Sequence, residues 1–116
     1  MEKPYNLEER TFLFAKECRL YIRALPKTTS NIEDSKQLVK SSGSVGANYI
    51  EANEKLGDKD FLFRLKIARK EAKESKYWIR LLHELNPEQS TISEPLLFEV
   101  EELRKILSAI ITKSAN

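Results

Sequence analysis

The sequence is poor in the residues that build chemistry. Its 116 residues include one cysteine, one histidine, three glycines and four prolines. With Cys18 alone, no internal disulfide can form, which fits a reducing compartment and a buried structural thiol. With His83 alone, the paired Glu-x-x-His motifs of carboxylate-bridged di-iron bundles are excluded, and Arg80 stands where the glutamate of such a motif would have to sit. Glu51/Glu54 and Glu71/Glu74 have i, i+3 spacing, but lysines surround them and no imidazole accompanies them. No metal or cofactor is therefore expected. No Ser-His-Asp or Cys-His arrangement can be assembled either, so the chain is read as non-enzymatic. The scarcity of glycine and proline excludes a β protein, which needs a turn about every ten residues. No apolar run approaches the roughly 20 residues of a membrane span, and the start, MEKPYNLEER, lacks a signal-peptide core. A cytoplasmic protein without a membrane segment is expected.

What is present is charge and periodic apolar residues. The chain is 41% hydrophobic and 33% charged, with a formal net charge of only +2. That composition suits one folded domain over 1–116. Asn6-Leu7-Glu8-Glu9 has the form of a capping box. From it Leu7, Thr11, Phe14, Cys18, Tyr21, Ile22 and Leu25 recur at helical spacing until Pro26. Ser30 to Glu33 repeats the capping pattern and opens a second segment.

The stretch SSGSVGANYIEANEK, from Ser41 to Lys55, has the composition of a linker. Yet Leu38, Ser42, Val45, Tyr49, Ala52 and Leu56 keep a four-three alternation straight through it. A loop has no reason to hold that register, so the stretch reads as helix. Each glycine costs a helix about 1 kcal/mol relative to alanine, so neighbours must support it. Ser42, Val45, Gly46, Asn48 and Tyr49 form its packing motif, the small ones allowing a neighbouring helix to come close. A phosphate-binding glycine loop is excluded because GSVG has the wrong spacing.

Gly57 breaks the chain and Asp58 is the expected N-cap of a third segment. Its stripe is Phe61, Leu65, Ala68, Ala72, Ser75, Ile79 and Leu82, ending at Asn86-Pro87. A fourth segment is expected from about Ser93, with Pro95 in its first turn and a stripe of Leu96, Val100, Leu103, Leu107, Ile110 and Ile111. Four such segments with short connections predict an all-α, antiparallel up-down-up-down four-helix bundle.

Two surface features carry the functional expectations. Phe12, Leu13 and Leu20 on the first segment, and Leu62, Phe63 and Tyr77 on the third, lie off the core stripes. They are candidates for a homo-oligomer interface, although scattered exposed apolars are also ordinary. Lys66, Arg69, Lys70, Lys73, Lys76 and Arg80 fall within an arc of roughly 120° opposite the third stripe, with Glu71 and Glu74 outside it. Such a ridge can lie along an RNA or DNA backbone; the competing reading is a solvated face that keeps the protein soluble. No aromatic platform is read beside the ridge, so binding is expected to be sequence-poor and salt-sensitive. Glu71 falls inside the apolar arc and needs a partner, with Arg64, Asn53 or Tyr49 within reach.

The residues also carry a resemblance. SSGSVGANYIEAN, through Ser44, Val45, Ala47, Asn48 and Glu51, resembles the signature of the four-helix-bundle family of 23S rRNA intervening sequences, also called S23. DFLFRLKIARKEAKESKYWIRLLHEL resembles its third helix, at the Asp60-Phe61 start, Ile67-Ala68 and Glu74. The chain departs from the family pattern at Lys40, where arginine is usual nearby, and at Lys70-Glu71, where many members carry Gly-Ser. The family is similar to the accessory protein of diversity-generating retroelements. That resemblance implies a homopentamer that binds nucleic acid and a reverse transcriptase. The alternative is a scaffold that binds another protein through its spare apolar faces, without nucleic acid.

Overall fold

Four long helices follow one another up and down in a computed structural model that describes residues 6–54 and 56–115. They are α1 (Leu7–Ala24), α2 (Thr29–Ala52), α3 (Asp58–Leu85) and α4 (Ser90–Ala115), with a 3-10 turn at Pro87–Gln89 leading into α4. No strand occurs among the described residues. The order is that of an antiparallel bundle, measuring 44 × 30 × 19 Å. Of the four adjacent helix pairs, α2 and α3 share the largest interface and α1 and α4 the smallest.

The stripes read from the sequence form the core. Phe14, Cys18 and Tyr21 of α1, Leu38 and Val45 of α2, Leu65, Ala68, Ala72, Ile79 and Leu82 of α3, and Val100, Leu103 and Leu107 of α4 are all buried. Burial pushes the Cys18 thiol up to about 12, so it stays protonated and unreactive. Leu56, expected as the last rung of the α2 stripe, is instead 78% exposed. The helix has ended at Ala52, so the register no longer points that residue inward.

The serine- and glycine-rich stretch lies wholly inside α2. Its small residues serve two neighbours. Towards α3, Ser75 Oγ donates to Ser41 Oγ at 2.8 Å within the core. Towards α1, a methyl group placed on Gly46 would lie 2.8 Å from Thr11 Oγ1 and 3.2 Å from Thr11 Cβ. Gly46 is therefore glycine because α1 passes too close for a side chain.

Asn6 caps α1 as expected, while the starts of α2, α3 and α4 depart from the sequence expectations by one to three residues. Thr28, not Ser30, caps α2, accepting from the Asn31 backbone N–H at 3.1 Å. Asn31 decides this: its buried amide exchanges hydrogen bonds of 2.8 and 2.9 Å with the Asn86 amide, and it also donates to the Pro26 carbonyl at 2.9 Å. One amide pair thus ties the α1–α2 turn to the α3–α4 turn. Glu33 pairs with Lys36 at 3.1 Å instead of completing a capping box. Gly57 precedes α3 at φ 140°, which favours glycine, and Asp58 is the first helical residue rather than the cap. Ser90 opens α4, so Pro95 falls past the first turn. The carbonyl of Thr91 loses its partner there, and that residue is exposed to water.

Where α1 meets α4, polar contacts take over. Arg10 grips Glu99 with Nε and Nη2 at 2.7 and 2.8 Å. This pair raises the Arg10 pKa, and its bidentate form fixes the orientation of the two helices.

Candidate nucleic-acid interface

The outward side of α3 is set by simple helical geometry. At about 100° per residue, Lys59, Phe63, Lys66, Lys70, Lys73, Tyr77 and Arg80 follow one another at spacings of four and three along a single row. All seven are exposed. Among the described residues, no carboxylate pairs with Lys66, Lys70, Lys73 or Arg80.

The other two members of the expected ridge turn sideways to α4. Lys76 Nζ lies 3.2 Å from Glu101 Oε1, and the Arg69 guanidinium approaches Ser108 Oγ at 3.5 Å. Glu101 also takes Arg104 at 2.6 Å. Hydrogen bonds from Arg104, and then from Lys76, hold the Glu101 carboxyl at about 2, against an ordinary 4.5. A lowered folded-state pKa adds stability above the ordinary carboxylate range and loses it as pH falls towards 2. Glu101→Gln is therefore expected to lower Tm by about 3 °C at pH 7. Thermal unfolding at pH 7 and near pH 2 checks this, and the gap from the parent should close in acid.

The expectation that no aromatic accompanies the ridge does not hold geometrically. Phe63 is 59% and Tyr77 54% exposed, and both stand in the row of lysines. Distance from the core stripe alone does not separate them from the off-stripe residues of α1. Their wheel angles, like that of Lys59, already placed them in the row.

Glu71 does not find the partners expected of it. Arg64 reaches Asp60 at 3.6 Å, and Asn53 donates to Glu8 at 3.4 Å. Burial, then the neighbouring Glu74, pushes the Glu71 carboxyl upward. Lys70 opposes that rise.

The remaining apolar candidates are dispersed. Leu13 is half-buried, and so is Leu62, which packs against the core. Phe12 and Leu20 are exposed, and with Ile50 they edge a groove of about 590 Å³ between α1 and α2. Gly43, Gly46 and Ala47 make the groove possible by having almost no side chain, and Lys16, Arg19 and Arg23 line one side. Ser42, Val45 and Gly46 of the packing motif are buried, and Tyr49 packs against the core. Asn48 donates to the Ser44 carbonyl of its own helix at 2.9 Å.

The profile of the 23S rRNA-intervening sequence protein family matches residues 5–109. The chain belongs to that family. A crystal structure at 1.70 Å of a protein of unknown function from the S23 ribosomal protein family of Bacteroides thetaiotaomicron VPI-5482 superposes with a TM-score of 0.77. The two are 30% identical, over 91% of this chain and 98% of that one. No curated protein matches. In this member of the 23S rRNA-intervening sequence family, the first stretch that carried the resemblance lies within α2, with Val45 in the core, Ser44 and Asn48 half-buried, and Ala47 and Glu51 exposed, and the second lies within α3. The departure at Lys70-Glu71 places a lysine in the exposed basic row.

Among the described residues, no three His, Cys, Asp or Glu side chains converge as a metal site. No helix there is long and apolar enough to cross a membrane.

Proposed function

We propose that this protein is a cytoplasmic, non-enzymatic, homo-oligomeric bundle that binds RNA or DNA through the outer row of α3. The observation that carries this reading is the line of Lys66, Lys70, Lys73 and Arg80, exposed and without described carboxylate partners. Cations that are already ion-paired release few counterions on binding, whereas these four would each release one on meeting a phosphate. Lys76 and Arg69, held towards α4, contribute less than the sequence suggested. The test is a mobility shift of mixed RNA and DNA oligonucleotides by protein stripped of nucleic acid. A shift that fades as salt rises is expected, and no shift at low salt removes the reading.

Self-association is supported by the exposed apolar residues Phe12, Leu20 and Ile50 beside the α1–α2 groove, and five copies are implied by the resemblance to the retroelement accessory protein. Repeating the row around an assembly would multiply its field. Sedimentation should give a mass several times the 13.5 kDa of one chain; a clean monomer at micromolar concentration would sink the oligomer.

The same groove favours a second reading, a scaffold for another protein. Its apolar walls and its row of Lys16, Arg19 and Arg23 suit an acidic amphipathic helix. Co-purification of one defined protein without nucleic acid would favour this second reading.

A further inference from the structure

The row on α3 is more than a line of charge. In order it reads Lys59, Phe63, Lys66, Lys70, Lys73, Tyr77, Arg80, so two exposed aromatic rings bracket three exposed lysines. The rings are fourteen positions apart in one unbroken helix, a separation of about 21 Å along its axis. Both are placed by their neighbours. The Tyr77 ring meets Trp78 edge-to-face, with centroids 5.0 Å apart and planes at 79°. The Arg64 guanidinium lies 6.0 Å from the Phe63 centroid, which adds a cation beside that ring. Glu74 borders the row beside Lys70, and Glu84 closes it beyond Arg80.

Two exposed rings in a row of cations are of little use against a duplex. There the bases are stacked on one another and only their edges reach the grooves. A single strand presents base faces, and stacking of these on aromatic side chains beside a positive track is how unpaired nucleic acid is held. We infer that α3 takes nucleic acid as a single strand, with its phosphates along Lys66, Lys70 and Lys73 and bases stacked on Phe63 and Tyr77. This inference rests on the reading that the row binds nucleic acid at all.

The experiment is fluorescence anisotropy with a mixed-sequence DNA 20-mer, the same sequence as RNA, and the DNA duplex. The single strands should bind more tightly than the duplex. Tyr77→Ala and Phe63→Ala should each weaken single-strand binding about tenfold, with duplex binding and the salt slope nearly unchanged, because no cation is lost. Tyr77→Phe should restore binding. Comparing the DNA and RNA strands shows whether the 2′-hydroxyl adds to the site; stacking alone predicts similar affinities. Both side chains are exposed, so the variants should keep the parent circular dichroism and sedimentation. Equal affinity for strand and duplex, or alanine variants that bind as the parent does, would overturn the inference and leave the charged row standing. Dissociation of the oligomer by Tyr77→Ala would also overturn it, by making the ring a subunit contact. No binding of any of the three by the parent would remove both readings together.

Discussion

Reversing Lys66, Lys70 and Lys73 together to glutamate is expected to weaken nucleic-acid binding at least a hundredfold at 0.1 M salt, with no loss of fold. The magnitude follows from counterion release. On single strands each neutralised phosphate contributes about 0.7 to the slope of log K against log salt. Removing three contacts removes about 2 from that slope, which is about a hundredfold at 0.1 M, before repulsion by the new carboxylates is counted. The fold should survive because all three side chains are exposed and none makes a described ion pair. Anisotropy with a labelled oligonucleotide reads the loss, and circular dichroism checks the fold. Reversing Lys76 alone should act differently: it would place a carboxylate beside Glu101 and disturb the α3–α4 contact, so part of its effect would be structural.

Gly46→Val is expected to destabilise the bundle by about 2–3 kcal/mol, the cost of overpacking a close helix contact. The nearest atoms to the new side chain would be Oγ1 and Cβ of Thr11, at 2.8 and 3.2 Å from its Cβ. Thr11 cannot swing away, since it is fully buried and its hydroxyl donates to the Glu8 carbonyl at 3.0 Å. The helix α1 itself would have to move. Gly43→Ala, one turn earlier in the same helix, should have the opposite sign. There the new methyl would meet only the Arg19 Nη2 atom at 3.3 Å, the end of a long exposed side chain. A gain of up to about 1 kcal/mol in helix propensity should dominate. Urea unfolding of the two variants measures both, and equal effects would mean that α1 is not pressed against this face.

The contrast between the two glycines shows what could be read from the sequence. The four-three register through Ser42, Val45 and Tyr49 announced a helix, because burial of one face imposes a period that composition cannot hide. The same period gave the stripes of α1, α3 and α4. Helix ends were less legible because a distant residue sets one of them. Thr28 caps α2 while Asn31 is engaged with Asn86, 55 positions away. Leu56 kept the period but not the burial, since a register has no meaning once the helix has stopped.

The basic row is legible for the same reason as the core, and the turn of two of its members towards α4 is hidden for the same reason as the helix ends. Lys76 and Arg69 share the arc with Lys73, but Glu101 and Ser108 on α4 draw them aside, and nothing near them in sequence shows that. Phe63 and Tyr77 were visible as off-stripe residues, and their angles already set them among the lysines. Arg64 does not serve Glu71 because it has an acid one turn away on its own helix in Asp60.

The most direct test of the account is a salt titration of the parent protein with a labelled single strand between 50 and 200 mM monovalent salt. Four phosphates met by Lys66, Lys70, Lys73 and Arg80 give an expected slope of about −3 in log K against log salt. A slope near zero, or no measurable binding at 50 mM, would contradict the claim that the outer row of α3 is a nucleic-acid track.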